Sequence, residues 1–442
     1  MAKEYLISDF LKRIKRPIIL EDDTEYKLVT VKMNHNGVTL RETKKGFDIK
    51  SNMFLVKEGD FILSGIDARN GAFGIIPKEL DGAIVTNDFW YFEIDENIIL
   101  KELFLELTAT NWFDEICKKG SDGTTQRIRL QKDKFFNQSV WLPEKNEQRS
   151  TLLKIQNIKL KLSKLSCENL TQKQLTKALQ QSILHEAIQG KLTTEWRKQN
   201  PNVQSASESI EQSKLANERL IKGKKVKKEK QLQPNLESYP FELPKSWTWC
   251  TGHELFLPME SKRPVGEVFG YIDIASIDNK THRLIEPRYL PVAEAPSRAS
   301  RKVYGGSTLF SLVRPYLGNI AFIEDKYSEC IASTGFFVCT PRDFIFPKYL
   351  YFLLISNYVV QGLNSFMKGV NSPSINTDDI LNFSFPVPPI DEQQEIVEKI
   401  EVVMKKCQKL SREIETLNNY GKTLMKAMFN ETFESKTEEC QD

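Results

Sequence analysis

The chain has 442 residues, 40% of them hydrophobic, with 62 Lys plus Arg against 59 Asp plus Glu for a net charge of +3. That length suits about two to four domains with real cores, and a charge this balanced does not single out a nucleic-acid partner by itself. Seven cysteines without CxxC spacing and only four histidines disfavour a zinc site or a disulfide framework. With no signal-peptide core and no apolar run of about 18 residues, the membrane and secretory readings drop out and a cytoplasmic protein is expected.

From the N-terminus, Tyr26–Val31 and Trp90–Ile94 read as strands, rich in β-branched and aromatic residues, and Leu100–Thr110 as a helix with one apolar face. Residues 1–142 form the first globular part, and 143–192 a long helix entered at Leu142-Pro143-Glu144. A polar, lysine-rich linker, 193–240, follows; its run Lys222–Lys230 reads as a solvated tether, with phosphate contact as the alternative. The second globular part, 241–388, carries strands at Tyr271–Ile274 and Gly335–Cys339 and a helix at Pro347–Leu363. A second long helix, 389–435, and a tail, 436–442, complete the chain. The fold class is therefore mixed α/β (α+β).

The two halves repeat each other. Gly59-Asp60-Phe61-Ile62-Leu63-Ser64 returns as Gly306-Ser307-Thr308-Leu309-Phe310-Ser311, a shift of 306 − 59 = 247, and Gly71 returns as Gly318 at the same shift. Glu147-Gln148 returns as Glu392-Gln393, now shifted by 245. A repeat this long implies two domains of one kind.

In the second helix the apolar positions Ile396, Ile400, Val403, Cys407, Leu410, Ile414, Leu417, Gly421, Leu424 and Met428 alternate by four and three, as in a coiled-coil seam. The 245 shift places Ile155, Ile158, Leu162, Leu165, Leu179 and Ile183 on a matching seam whose middle, Asn169, Gln172 and Thr176, is polar. Such stripes need cover. The long connection between the helices implies antiparallel packing, with the two domains near opposite ends and related by a pseudo-twofold axis.

The entry Phe385-Pro386-Val387-Pro388-Pro389-Ile390-Asp391-Glu392-Gln393-Gln394-Glu395-Ile396-Val397 and its partner Trp141–Arg149 resemble the helix entries of the specificity subunit of type I restriction-modification systems. Ile183–Leu192 and Leu243–Trp249 share that resemblance, which covers nearly the whole chain. It implies two target recognition domains that read a bipartite, asymmetric double-stranded DNA target. It also implies two modification subunits held on the helices and restriction subunits that join them. S-adenosylmethionine, ATP and Mg2+ would serve those partners, with no cofactor bound by this chain directly.

Motifs for chemistry are weak. Gly421-Lys422-Thr423 has Thr416 where a phosphate loop needs its first glycine, and it lies within the coiled-coil stripe. No Asn-Pro-Pro-aromatic tetrapeptide is present, and no acid-x-Lys pairing recurs in both domains, so the chain is expected to be non-catalytic and metal-free. Two alternatives stay open: a structural coiled-coil scaffold without sequence-specific DNA binding, and a specificity subunit of a modification-only or phage-exclusion system.

For DNA contact, loops held in common by both repeats are the natural place. Arg69 and Asn70 lie in one, matched by Arg314, Tyr316 and Asn319; Arg forks onto guanine and Asn onto adenine. A second loop offers Lys119, Ser121, Thr124, Gln126 and Arg127, paralleled by Lys368, Asn371 and Ser372, a composition suited to phosphate contact with some base readout. Arg301 and Lys302, beside Arg298, add a basic cluster in the second domain alone. Trp247 and Trp249 read as core. If the helices set the spacing of the half-sites, one heptad inserted into each moves the domains apart by roughly 10 Å, about 3 base pairs. An unchanged spacer in the methylated motif would refute that ruler.

Overall fold

The computed structural model describes residues 2–108, 111–123, 128–221 and 239–433. The chain forms two compact units, residues 1–169 with 416–442 and residues 170–415, so each unit contains one globular domain and part of both long helices.

In the first unit, the strand Ala2–Leu6 pairs antiparallel with Ser139–Pro143, which closes the domain just before the long helix begins. Strands Phe61–Ser64 and Phe89–Ile94 form the middle of a sheet whose two faces are both buried. Alternation does this, because successive side chains point to opposite faces. Phe61, Leu63, Trp90 and Phe92 pack against helices Lys101–Thr108, Asn111–Lys119 and Lys132–Phe136. Ile62 and Tyr91 face a second core with Val29, Val31, Val56 and Val85 from an outer sheet, in which Glu25–Val31 runs antiparallel to Val38–Lys45 and parallel to Ile84–Val85.

The second unit repeats this plan. Thr248–Thr251 pairs with Ser384–Val387; Thr308–Ser311 lies between Ile320–Phe322 and Phe336–Cys339; and Val268–Ile272 runs parallel to Ile331–Ser333 and antiparallel to Arg288–Pro291. Phe310 and Phe337 pack on the helical side, Leu309 and Phe336 on the other. The helix expected over Pro347–Leu363 is two, Pro347–Leu354 and Asn357–Asn364, with Ser356 capping the second through the amide of Val359. Ser at an N-cap satisfies a free helix amide, so it favours a new start over continuation.

The long helices run Lys145–Ile188 and Ile390–Phe433, 44 residues each. A glutamine fixes each entry. Gln148, fully buried, accepts from the Leu100 amide (2.8 Å) and donates to the carbonyls of Ile98 (2.7 Å) and Pro143 (2.9 Å). Gln393, also fully buried, accepts from Phe346 N (2.7 Å) and donates to Phe344 O (3.0 Å) and Pro388 O (2.9 Å).

The helices pack antiparallel within each unit. In the first, Ile155 shares a core with Met425, and Asn169 Nδ2 donates to Asn418 Oδ1 at 2.8 Å. In the second, Leu184 and Ile188 share a core with Ile396 and Ile400. The seam differs from the expected one in phase. Ile155, Ile400, Cys407 and Ile414 are buried, and Leu162, Leu165, Ile183 and Val403 are half-buried. Leu179, Leu410 and Leu417 are not in the seam: they are 51%, 40% and 45% exposed, and their places are taken by half-buried Gln180, Ser411 and Asn418. Two paired helices cover only about two positions in seven. An apolar stripe that can be read by either three or four therefore leaves one row outside.

The stretch expected to be a polar tether is helical at Thr194–Gln199 and Ala206–Ile221. Ala206 and Ile210 enter the helical-side core of the second unit, and Ser213 Oγ donates to Asp343 at 2.6 Å; Lys222–Lys230 lies outside the described residues, as does the whole of the tail 436–442.

Replacing Gln393 with Ala strands one amide and two carbonyls in a dry site. A loss of about 3 kcal/mol is expected, read as a lower urea midpoint at unchanged m-value, and Gln148→Ala should match it.

Candidate nucleic-acid interface

The sharp turn after the central strand is a short 3-10 turn in both domains, Ala68–Asn70 and Pro315–Leu317. Each ends in a glycine with left-handed φ, 73° at Gly71 and 66° at Gly318, whose amide returns to Ala68 O (3.0 Å) or Pro315 O (2.9 Å). The helix that follows the core sheet, Asn111–Lys119 or Asn357–Asn364, packs on that turn. The trailing loop comes with it: Leu130 N donates to Gly65 O at 2.7 Å, and Ile375 N to Leu312 O at 2.9 Å. The two loops picked out in each domain are thus brought side by side.

Arg314 makes the closest link between them. Its backbone is left-handed (φ 48°), its amide donates to Pro373 O at 2.8 Å, and its guanidinium donates to Asn371 O at 3.0 Å. Arg314, Tyr316, Lys368, Asn371 and Ser372 are exposed, and Lys368 exchanges backbone hydrogen bonds with Ser374. In the first domain Asn70 and Lys119 are exposed, while Arg69 is half-buried, with one terminal nitrogen out of contact with solvent.

Other candidates are placed differently. Asn319 is buried at 5% exposure, because it lies where the chain turns back into the sheet and its carbonyl accepts from Ser311 N; it is not available to a base. Ser121 spends its hydroxyl on Cys117 O (2.7 Å). Lys302 pairs with Glu260 at 2.9 Å and lies over the Tyr304 ring, and Arg301 is a half-buried strand residue opposite Ala332, so this basic cluster belongs to the outer sheet. Thr124, Gln126 and Arg127 lie outside the described residues. Trp247 is core, its Nε1 donating to the buried Glu392 at 2.8 Å.

Two histidines beside these turns carried no signal of their own in sequence. His35 and His282 stand at the same 247 shift, and each lies against its glycine: His35 N donates to Gly71 O at 3.0 Å, and His282 Nδ1 lies 2.9 Å from Gly318 O. A scan of the 247 register for identical residues would have found them.

Among the described residues no group of three or more His, Cys, Asp or Glu is placed to hold a metal ion, and no helix is long and apolar enough to cross a membrane.

These features define a duplicated α/β protein in which each globular domain carries a like surface of turn, packed helix and trailing loop. A family model for the type I restriction modification DNA specificity domain matches residues 4–183 and 294–419. The type I restriction enzyme EcoEI specificity subunit of Escherichia coli is 26% identical over 254 residues, 54% of this chain and 42% of that protein. The EcoDI specificity subunit, also of E. coli, is 22% identical over 82% of this chain and 76% of its own. Two solved structures share the fold. One, concerning complex assembly and conformational transition of the type I R-M system, has a TM-score of 0.69 at 16% identity and covers 98% of this chain and 97% of its own. The HsdS subunit from Thermoanaerobacter tengcongensis has a TM-score of 0.56 at 15% identity, with 98% and 96% covered. The chain belongs to the family of type I restriction-modification specificity subunits.

Burial disfavours the charged ring of His282 and holds its pKa below the ordinary 6.5, against the opposing pull of Gly318 O and Asp278 and with help from Lys177. The unfolded chain therefore binds this proton at higher pH than the folded one, and stability falls as pH drops from about 6.5 through the folded value. His282→Asn should lose less stability than the parent between about pH 7.5 and 5.5, measured by urea midpoints.

Proposed function

We propose that this chain reads a bipartite, asymmetric double-stranded DNA sequence, one half-site per domain, and carries the modification and restriction subunits that act on it. The single observation behind the reading is a surface built twice from the same parts: a left-handed glycine turn, a packed helix and an exposed polar loop, with different side chains in each copy. Arg69, Asn70 and Lys119 face one half-site, and Arg314, Tyr316, Lys368, Asn371 and Ser372 the other. Differing side chains on a common frame are what reading two different half-sites requires.

The helices serve the partners. Each bears leucines outside the seam: Leu160, Leu170 and Leu175 on the first, Leu410, Leu417 and Leu424 on the second, all at least 40% exposed. Uncovered apolar rows of this kind suit protein contact, and two modification subunits would be their occupants. Methylation of adenine with S-adenosylmethionine and cleavage driven by ATP and Mg2+ belong, in this reading, to those subunits. The domain limits 1–142, 143–192, 241–388 and 389–435 are the working boundaries for dissecting the two roles.

Co-expression with a modification subunit, followed by single-molecule mapping of methylated adenines, tests the reading. A single bipartite motif is expected, with base preference lost in one half on Arg69→Ala and in the other on Arg314→Ala. No methylation from an assembled, soluble complex would refute it.

A further inference from the structure

We infer that His35 and His282 are positioning residues for DNA reading, each clasping the recognition turn of its own domain; this rests on the half-site reading above. Four observations converge. The histidines stand 282 − 35 = 247 residues apart, the shift that relates Gly71 to Gly318. Both occupy left-handed backbone, φ 58° and 54°, a conformation most side chains avoid and one that persists where the surroundings over-determine it. Both rings lie on the turn's terminal glycine so closely that an added methyl would come within 2.8 Å of the His35 ring and 3.0 Å of the His282 ring. And both are tied at the far side to an element of the core.

The ties differ in chemistry but serve the same end. His35 Nε2 bonds Asp114 Oδ2 at 3.0 Å, on the helix that packs against the turn, and its ring meets the edge of Phe73 at 5.1 Å between centroids. Asn34 N and His35 N donate to the carbonyls of Asn70 and Gly71. In the second domain His282 reaches Gly318 O through its ring, and its own carbonyl accepts from Tyr351 Oη at 3.0 Å. His35 stands in the hairpin turn between the outer-sheet strands Glu25–Val31 and Val38–Lys45, and His282 in the turn of a separate two-stranded hairpin, Ile277–Asp278 with Arg283–Leu284; each thus bridges a hairpin to the turn that presents Asn70 and Arg69, or Tyr316 and Arg314. A base-reading side chain must be held within a fraction of an ångström to discriminate. The clasp supplies that restraint from a residue that itself reads nothing.

The test uses the full chain in complex with its modification subunit. His35→Asn and His282→Asn keep a side chain that tolerates left-handed backbone and remove the ring; Asp114→Ala unties the His35 ring without touching the turn. Adenine methylation is mapped genome-wide for each, with thermal unfolding to show that the complex is folded. His35→Asn and Asp114→Ala are expected to raise methylation of sites mismatched at one base in a single half by about tenfold, the discrimination one base pair carries, and to leave the other half unchanged. His282→Asn should do the same for the opposite half. A parent complex that gives a bipartite motif, with variants whose motif is unchanged or whose methylation falls uniformly at both halves, overturns the clasp alone. A parent complex that gives no bipartite motif overturns the half-site reading, and the clasp's role with it.

Discussion

The structure depends on a primary amide buried where each long helix begins. Gln148 and Gln393 satisfy three backbone groups apiece: the carbonyl of a proline at the end of the closing strand (Pro143) or just beyond it (Pro388), and a carbonyl and an amide just before the domain helix Lys101–Thr108 or Pro347–Leu354. The fully buried glutamine side chains complete the hydrogen bonding of backbone groups at each helix entry, as groups removed from solvent require. A helix held in this way cannot swivel on its domain without breaking all three bonds together. Whatever a domain reads is thereby tied to the helix that carries it.

The junction is richer in the second unit. Glu392, fully buried beside Gln393, accepts from Thr193 Oγ1 (2.6 Å), Trp247 Nε1 (2.8 Å) and the Arg197 guanidinium. It gathers the end of the first helix, the opening of the second domain and the start of the second helix around one carboxylate. A buried charge is tolerable only when paired and hydrogen-bonded, and Arg197, which also donates to Gly190 O at 2.5 Å, meets that requirement. At Gly190, with φ 70°, an added methyl would meet Pro244 at 2.5 Å. The motif Gly190-Lys191-Leu192-Thr193 is therefore a joint, with its glycine required by the close approach.

The helix pair shows how one stripe serves two purposes. Its seam is narrow and partly polar, with Asn169 bonded to Asn418 and Thr176 buried. A buried polar pair of this kind specifies register at some cost in stability. The leucines that would have made a stronger two-helix seam stand outside it, where they remain available for contact.

By itself the sequence determined the duplication, the mixed α/β class, the two long helices and their entries, because repeated glycines, prolines and apolar periods are local signals that survive divergence. It also marked one turn in both halves, since Gly71 and Gly318 stand at the same place in the repeat. Only the tertiary structure decided which side chains the candidate loops present. Asn319 faces inward because its strand resumes there, Lys302 is claimed by Glu260, and Leu179, Leu410 and Leu417 lose the seam because two helices cover less than the stripe offers. The same is true of His35 and His282: a lone histidine in a polar turn carries no periodicity, and its partner glycine lies 36 residues further along in both domains. Contacts across such distances are set by how the sheets stack, and no local pattern encodes them.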